Sequence, residues 1–342
     1  MLNELRRKIH PSLLACFLFF CPMLGSAQEH TEQDVPSLRT QSSVVFVPAL
    51  VKDRAGKLVF GLQAKDFIIA DDGVEQKVSM DEAEPQEAVS LVVAIQIGRT
   101  AIKEFKRMKG LSALLDQVVG QPQVETAIVA FDSEVNLLQD FTFDSEQTES
   151  HIKALEDGDR RGAAIYDAVR YSVNILNKRP QDSRHVLLLI SETRDHGSHA
   201  VTLDDAIAAV SDTNTVVYTL AFSPTVSSAL DTLRGDETTR PGPFLDVIQL
   251  MILARQALRK NAPKGISSLT GGEYELFKSR KSFENFMMEF ANHLHSRYLL
   301  RFEPKNPRPG LHDVRVRLRE GQSDAVLARR SYWVEDLDKP RR

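Results

Sequence analysis

Cysteine is nearly absent from this sequence of 342 residues, which contains only Cys16 and Cys21. Both lie within the first 27 residues, so the rest of the chain has no thiol for a disulfide bond or for nucleophilic catalysis. A fold built from these later residues must depend on its hydrophobic core. Hydrophobic residues make up 42% of the chain and charged residues 26%, the balance of an ordinary globular protein.

A strong charge of either sign is also missing. The formal net charge is −4, which argues against a dedicated nucleic-acid binder, because such proteins usually carry a strongly basic face. The sequence contains no G-x-S-x-G, H-E-x-x-H or Walker A motif. These absences favour a protein that is not an enzyme.

The first 27 residues have the pattern of a secretory signal peptide. Residues 6–8 are basic, residues 13–24 are apolar and residues 25–27 are small, in the order that a signal peptidase requires. Residues 13–16 also resemble a lipobox, and Arg6-Arg7 resembles a twin-arginine signal, but the apolar run continues past Cys16 and the twin-arginine motif is incomplete. The apolar stretch is too short to span a bilayer, and no later run is long enough. We expect an exported protein, periplasmic or secreted.

A β-rich domain is predicted for residues 43–82, after a polar, flexible leader at residues 28–42. Runs rich in Val, Ile and Phe alternate there with turn residues such as those at 53–57 and 71–73. The predicted strands cover residues 43–51, 58–62, 66–70 and 74–80, and the first two would form a hairpin. The acidic residues 81–88 have the composition of a linker.

Residues 88–296 have the pattern of a doubly wound α/β domain. Four nearly continuous apolar runs predict strands that are buried on both faces of a parallel sheet. These runs are Leu91–Ile97, Thr126–Phe131, Val186–Ile190 and Val216–Phe222. Helical spacing appears between them at residues 165–176, and Thr202 with Asp205 forms a capping-box pattern for a helix at 203–212. The segment 137–143 follows a tight turn and predicts an antiparallel edge strand.

The second half of this domain continues the alternation. Helical spacing returns at residues 245–258, and residues 273–277 follow a Gly-Gly turn as the predicted last strand of the sheet. A helix is then predicted with apolar residues on one face, which we interpret as a core face instead of a ligand-binding box. These residues are Phe283, Phe286, Met287, Phe290 and Leu294.

Residues 297–334 return to strand patterns. Strands are predicted at residues 298–302, 314–318 and 326–332, separated by proline-rich and glycine-containing turns. We expect them to pack with the N-terminal strands, because each set alone is too small to bury a face. The short basic tail at 335–342 is expected to be disordered.

The order and spacing of several motifs resemble exported bacterial proteins related to the von Willebrand factor A (VWA) domain. The motifs are Asp53–Lys57, Gly61-Leu62, Asp66-Phe67, Asp71–Gly73, Leu91–Thr100, Ala164–Ala168, Val186–Ser191, Leu269–Gly272, Ser296–Leu300 and Arg329–Tyr332. The resemblance implies a Rossmann-like VWA sheet, an accessory β-sandwich-like domain built from both chain ends, and a function in binding.

The resemblance also implies a metal-ion-dependent adhesion site, but its pattern is broken in this sequence. The family pattern has Asp-x-Ser-x-Ser after the first strand, a Thr before the Tyr-Asp-Ala helix and an Asp after the fourth strand. The corresponding residues here are Gln96, Gly98, Thr100, Ala163 and Glu192. One carboxylate is a poor match for a divalent cation, so we expect weak binding of Mg, Ca or Mn, or none. Asp132 or Asp195 remains open as a substitute ligand.

Arginines occur in the loops that are expected to surround the lost metal position. They are Arg99, Arg160, Arg161 and Arg194. A guanidinium can hold a carboxylate bidentately without a metal, so this face is a candidate for binding an acidic group of a protein partner. The alternative is that these arginines are solvated and balance neighbouring acids. The predicted partner-binding residues are Gln96, Gly98, Arg99, Thr100, Arg161, Ala163, Glu192 and Arg194.

Histidines give weaker signals. The loop Asp195–His199 contains two imidazoles and a carboxylate, which are acceptable zinc ligands at an unspecific spacing. His293 and His295 are predicted to be ordinary solvated side chains. The sequence as a whole predicts a metal-independent protein-binding module with no cofactor. A metal-dependent adhesion domain with atypical ligands, a hydrolase that uses the 195–199 loop, and a structural envelope component remain open, as does the oligomeric state.

Overall fold

The computed structural model describes residues 44–80, 88–98, 101, 123–155, 162–222, 247–305, 307–319 and 325–336. The predicted signal peptide, leader and linker, and most of the tail, lie outside these residues. Among the helices that the structure describes, none is long and apolar enough to cross a membrane. The domain boundaries predicted above stay predictions.

Fourteen strands are present in this part of the chain. They are β1 (Val45–Lys52), β2 (Phe67–Asp71), β3 (Val74–Gln76), β4 (Ser79–Met80), β5 (Val89–Gln96), β6 (Val124–Phe131), β7 (Val135–Thr142), β8 (Arg184–Glu192), β9 (Val216–Phe222), β10 (Tyr274–Leu276), β11 (Tyr298–Phe302), β12 (Gly310–Leu318), β13 (Ala325–Ala328) and β14 (Ser331–Val334).

Six α-helices accompany the strands within the described ranges. They are α1 (Ser145–Lys153), α2 (Ile165–Leu176), α3 (Leu203–Ser211), α4 (Val247–Lys260), α5 (Ala262–Thr270) and α6 (Arg280–Leu294).

The central sheet has six strands in the order β10-β9-β8-β5-β6-β7. All neighbours in this sheet pair in parallel except β6 and β7, so the predicted antiparallel edge strand is confirmed. Every residue of β5, β6 and β9 is buried, as is every residue of β8 after its first. Continuous burial explains the continuous apolar runs of the sequence, because a sheet covered on both faces has no polar side.

The described helices pack on both faces of this sheet. Helices α2, α3, α4 and α5 contribute to one apolar cluster, while α1 and α6 contribute to the other. The apolar face of α6 contacts the sheet, with Phe290 and Tyr218 in edge-to-face contact at 4.8 Å between ring centroids. The interpretation of this face as core is therefore confirmed.

Strands from both ends of the described chain form two further sheets. Their orders are β13-β1-β11-β4 and β14-β12-β2-β3, and all pairs are antiparallel. The apolar side chains of the two sheets share one cluster that includes Val47, Ile69 and Phe302. This confirms the expected α/β core with an accessory β structure drawn from both ends.

Three predicted strands differ from the observed ones. Residues 74–80 were expected to form one strand, but β3 and β4 belong to different sheets. Residues 326–332 likewise divide into β13 and β14, because the chain crosses between the sheets at Arg329, whose buried guanidinium donates to the Thr213 carbonyl. The prediction of a hairpin between residues 43–51 and 58–62 is wrong. Residues 58–62 do not form a strand, and a single antiparallel bridge joins Lys52 and Leu58.

Two of the observed helices were not predicted from the sequence, although the second has capping signals at both ends. Helix α1 buries just Thr148 and Ile152, so its periodic apolar pattern is too sparse to read. Helix α5 begins at an Asn261 cap with a proline in its first turn and ends at Gly271, whose φ of 77° is left-handed.

The capping box of α3 gives a first testable prediction. The Thr202 hydroxyl accepts from the Asp205 amide at 3.2 Å, and the Asp205 carboxylate accepts from the Thr202 amide at 3.2 Å. We expect Thr202→Ala to lower the free energy of unfolding by about 1 kcal/mol. Urea denaturation would measure the loss, and Thr202→Ser should keep most of the stability. An equal loss in both variants would contradict the role of the hydroxyl.

Candidate functional site

Strands β5 and β8 are neighbours in the sheet, so their carboxyl ends lie side by side. The last residue of β5 is Gln96, and the last residue of β8 is Glu192. Ala163 precedes α2, and its carbonyl accepts from the backbone amide of His196 at 3.2 Å. We call the group of residues Gln96, Ala163, Glu192 and His196 the rim, in which only His196 is exposed. It lies where parallel strands end, the usual place for binding sites in such sheets.

Gln96 and Glu192 bind each other through two hydrogen bonds. The Gln96 side-chain amide Nε2 donates to Glu192 Oε1 at 2.6 Å, and the Glu192 backbone amide donates to Gln96 Oε1 at 2.9 Å. Both side chains are buried, with residue exposures of 0% for Gln96 and 7% for Glu192. The amide oxygen and one carboxylate oxygen at the rim are therefore already engaged.

His196 adds a second partner for the same carboxylate. Its Nε2 lies 2.8 Å from Glu192 Oε1, and its side chain is 44% exposed. The histidine therefore contacts the Glu192 carboxylate from the solvent side. The sequence did not predict this contact. His196 is four positions after Glu192 in a loop, and a loop of this length has no regular conformation that would fix the distance between the two side chains.

The loop that carries His196 is held by Asp167, near the start of α2. The Asp167 carboxylate accepts from the backbone amides of His199 at 3.1 Å, Ala200 at 3.3 Å and Val201 at 2.8 Å. Gly197 packs against the 163–164 backbone, where an added Cβ would lie 2.8 Å from the Ala163 nitrogen. A larger residue would therefore displace the loop.

The two carboxylates considered as substitute metal ligands are used within the protein. The Asp195 Oδ1 accepts from the Tyr166 amide at 3.2 Å and from the Ser198 hydroxyl at 2.6 Å. The Asp132 Oδ1 accepts from the Glu134 amide at 2.9 Å. Asp132 therefore stabilises a local turn, and Asp195 stabilises its own turn and joins it to the start of α2.

The predicted arginines are mostly outside the described residues. Arg99, Thr100, Arg160 and Arg161 lie there, whereas Arg194 is described and exposed on the loop that follows β8. Gly98 is buried, and its carbonyl accepts from the Ala101 amide at 2.8 Å. The structure therefore brings Gln96, Ala163 and Glu192 together, and the grouping of the arginines stays a prediction.

The described side chains at the rim do not fit a divalent cation. Ala163 and Gly98 offer no side-chain oxygen, and the remaining oxygens belong to the Gln96–Glu192 pair. A hard cation needs several free oxygen ligands in regular geometry. His196 contacts Glu192 and Asp195 contacts Ser198, so the 195–199 loop does not present a joint zinc site either.

One cluster of three potential ligand groups exists within the described ranges, namely Asp71, Asp72 and His312. Both ring nitrogens of His312 are engaged, Nδ1 with Asp72 Oδ2 at 2.9 Å and Nε2 with the Arg308 carbonyl at 2.6 Å. The cluster lies between β2 and β12, away from the rim. Its geometry is that of a buried ion pair.

The prediction that His293 is solvated is wrong. His293 is 5% exposed, and its Nδ1 lies 2.5 Å from Glu273 Oε2. Glu273 also accepts from Lys52 Nζ at 2.9 Å. Burial alone would raise the pKa of Glu273, but the hydrogen bonds from His293 and Lys52 outweigh it and hold that pKa at about 2. His295 is exposed, as predicted.

Comparison with known proteins places this geometry in context. Residues 96–248 match the sequence model of the von Willebrand factor type A domain. The matched segment begins at the last residue of β5 and ends in α4. A search of curated protein sequences found no match.

Solved structures to which this chain is similar include those of three bacterial proteins. The conserved hypothetical protein BatB from Bacteroides thetaiotaomicron is 15% identical, with 60% of this chain and 99% of BatB covered and a TM-score of 0.41. The vWF domain of the type V pili tip protein Mfa5 from Porphyromonas gingivalis is 10% identical, with 61% and 95% covered and a TM-score of 0.40. The pilus adhesin SpaC from Lactobacillus rhamnosus GG is 10% identical, with 82% and 49% covered and a TM-score of 0.40.

Proposed function

We propose that the chain is an exported protein-binding module built on a von Willebrand factor type A domain, and that the loops around its rim contact a partner without a metal ion. The observation that carries this proposal is the mutual pairing of Gln96 and Glu192. By the sequence resemblance, the pair stands at two of the five positions where the family pattern has metal ligands. A cation there would have to break a hydrogen bond to gain either Gln96 Oε1 or Glu192 Oε1 as a ligand.

Arginines in the surrounding loops can replace the charge that a metal ion would supply to a partner. Arg194 is exposed beside the rim. In the sequence, Arg99 follows strand β5, which ends at Gln96, and Arg161 precedes helix α2. A guanidinium binds a carboxylate with two parallel hydrogen bonds. We therefore propose an acidic group on the partner. Export is proposed from the signal-peptide pattern of residues 1–27.

The test is capture of envelope proteins on the immobilised chain, with and without EDTA. We expect a saturable partner that EDTA does not release and that rising salt weakens, because the contact joins opposite charges near solvent. Arg194→Glu should lower the affinity about tenfold, since it reverses a contact charge. The matched control is Arg280→Glu, which makes the same change at an exposed residue of α6.

Three outcomes would contradict the proposal. Release by EDTA, together with calorimetric binding of Mg²⁺, Ca²⁺ or Mn²⁺, would indicate a metal-dependent adhesion domain. Equal capture by the Arg194→Glu and Arg280→Glu variants would show that the partner binds elsewhere. The absence of any saturable partner would indicate a structural envelope component.

A further inference from the structure

A cavity of about 460 Å³ lies at the amino ends of the central strands, whereas the rim lies at their carboxyl ends. It is bounded by the first residues of β8 and β9, by the end of α6 and by the paired strands β1 and β11. Apolar side chains form much of its wall. They are Phe46, Pro48, Val186, Val216, Leu294 and Leu299. A cavity of this size is typical of small-molecule sites.

Arg297 lines this cavity and is 6% exposed. Its Nε donates to the Tyr218 hydroxyl at 2.7 Å, and its Nη1 donates to the Gly271 carbonyl at 2.8 Å. Its Nη2 is buried and has no hydrogen-bond partner. Among the residues that the structure describes, no carboxylate forms an ion pair with this guanidinium.

A buried guanidinium in this state is missing two things. Arginine keeps its charge at any physiological pH, and a buried charge is costly unless an opposite charge lies beside it. A buried donor without an acceptor adds a further cost. A carboxylate in the cavity would supply both the negative charge and the acceptor.

We propose that this cavity binds a small monocarboxylate with an apolar tail. The carboxylate would pair with the Arg297 guanidinium, whose buried Nη2 would turn towards the cavity to donate to it, and the tail would lie against the apolar wall. Arg184, which is half-buried at the cavity, adds positive charge, while Asp182 is exposed there and adds negative charge. One buried guanidinium matches a single negative charge better than a multiply charged anion.

The surrounding strands favour a small molecule over the end of a peptide chain. Strand β1, which contributes Phe46 and Pro48, is paired with β11 on one side and β13 on the other. It therefore offers no free strand edge to which an extended peptide could add. The apolar side chains of the cavity remain as the contact surface.

The test is calorimetric titration of the full chain with sodium octanoate, 1-octanol and sodium acetate. We expect one saturable site for octanoate, and at least tenfold weaker binding of octanol, which has the tail without the charge. Acetate, which has the charge without the tail, should not bind measurably. An acetylated peptide ending in a leucine carboxylate should also bind more weakly than octanoate.

Two variants locate the site. Arg297→Gln should weaken octanoate binding at least tenfold, and Leu299→Trp should weaken it similarly by filling the cavity without altering Arg297. Arg280→Gln, which removes a charge from an exposed residue, is the matched control and should bind like the original protein. Since Leu299 is half-buried, its variant remains informative if Arg297→Gln does not fold.

The proposal would be overturned by the absence of saturable octanoate binding, or by equal binding in the original protein and the Leu299→Trp variant. Tighter binding of the peptide than of octanoate would also contradict it and would indicate that the cavity binds the carboxyl end of a peptide chain. The rim is far from these residues in the fold, so this test and the capture experiment fail independently.

Discussion

Replacing Gln96 by Glu is expected to lower the free energy of unfolding by about 3 kcal/mol at neutral pH. In the protein, the Gln96 amide donates to Glu192 Oε1 at 2.6 Å. The variant would instead place two carboxylates in contact at a buried position, which raises the cost of ionising both. His196 contacts Glu192 and can offset a part of this repulsion.

The loss should depend on pH in a defined direction. In the folded variant, repulsion and burial raise the pKa of the carboxyl pair above its unfolded value. A group whose folded pKa is raised stabilises the fold below its unfolded pKa and loses that contribution as the pH rises. The variant should therefore approach the original protein near pH 4 and fall away from it towards pH 7. Urea denaturation at both pH values would measure this.

Gln96→Met is the matched control for charge. It removes both hydrogen bonds of Gln96, including the one from the Glu192 amide that a glutamate could still accept, and keeps a side chain of similar length without adding a carboxylate. We expect its loss to vary much less between pH 4 and pH 7. If the Glu and Met variants lost the same free energy at both pH values, charge repulsion at the rim would be excluded.

The central sheet was predictable because its burial is uniform. Strands β5, β6, β8 and β9 are covered on both faces, so their sequences are continuous apolar runs that no surface strand would show. The face of α6 was predictable for the related reason that one side alone contacts the sheet. These local patterns reflect the fold directly.

The accessory sheets were less predictable because single segments cross between them. A short strand such as β4 has a pattern of two residues, and its partner β11 lies more than two hundred positions away in sequence. Nothing local distinguishes a strand that continues from one that changes sheet at Arg329. The choice is made by long-range pairing, which sequence periodicity does not record.

At the rim, the resemblance to VWA-related proteins predicted which residues occupy the strand ends, but it did not predict how these residues interact. The substitutions at Gln96 and Ala163 indicated a loss of metal ligands. The pairing of Gln96 with Glu192, and the approach of His196, depend on the path of the 193–200 loop. That path is set by three backbone amides that bind Asp167, a tertiary contact across more than thirty residues.

The accessory sheets contain the largest expected effect of pH. His312 on β12 lies next to the end of β2, where its Nδ1 is 2.9 Å from Asp72 Oδ2 and 3.7 Å from Asp71 Oδ1. Arg308 also contacts the Asp72 carboxylate, and the Tyr332 hydroxyl donates to Asp71 at 3.0 Å. Burial alone would lower the pKa of His312, but the hydrogen bonds to Asp71 and Asp72 outweigh it and raise that pKa to about 10.

This imidazolium joins strands from the two ends of the described chain, so its proton should be linked to folding. The folded protein holds the proton until about pH 10, whereas the unfolded chain releases it near the ordinary value of 6.5. The stabilisation is therefore complete below the unfolded pKa and is lost as the pH rises through the folded one. The expected loss is on the order of 4 kcal/mol, a large part of the stability of a typical domain.

Urea denaturation of the original protein and of His312→Gln across pH 6 to pH 10 would test this linkage. The glutamine keeps a donor and lacks the charge, so the variant should be less stable near pH 6 and should approach the original protein near pH 10. His151→Gln, which makes the same replacement on the surface helix α1, is the matched control and should follow the original curve. A constant difference in stability between the original protein and His312→Gln at every pH would contradict this linkage. It would mean that His312 stabilises the fold by stacking on Tyr332, with the two ring centroids 4.6 Å apart, and that its proton does not hold the two chain ends together.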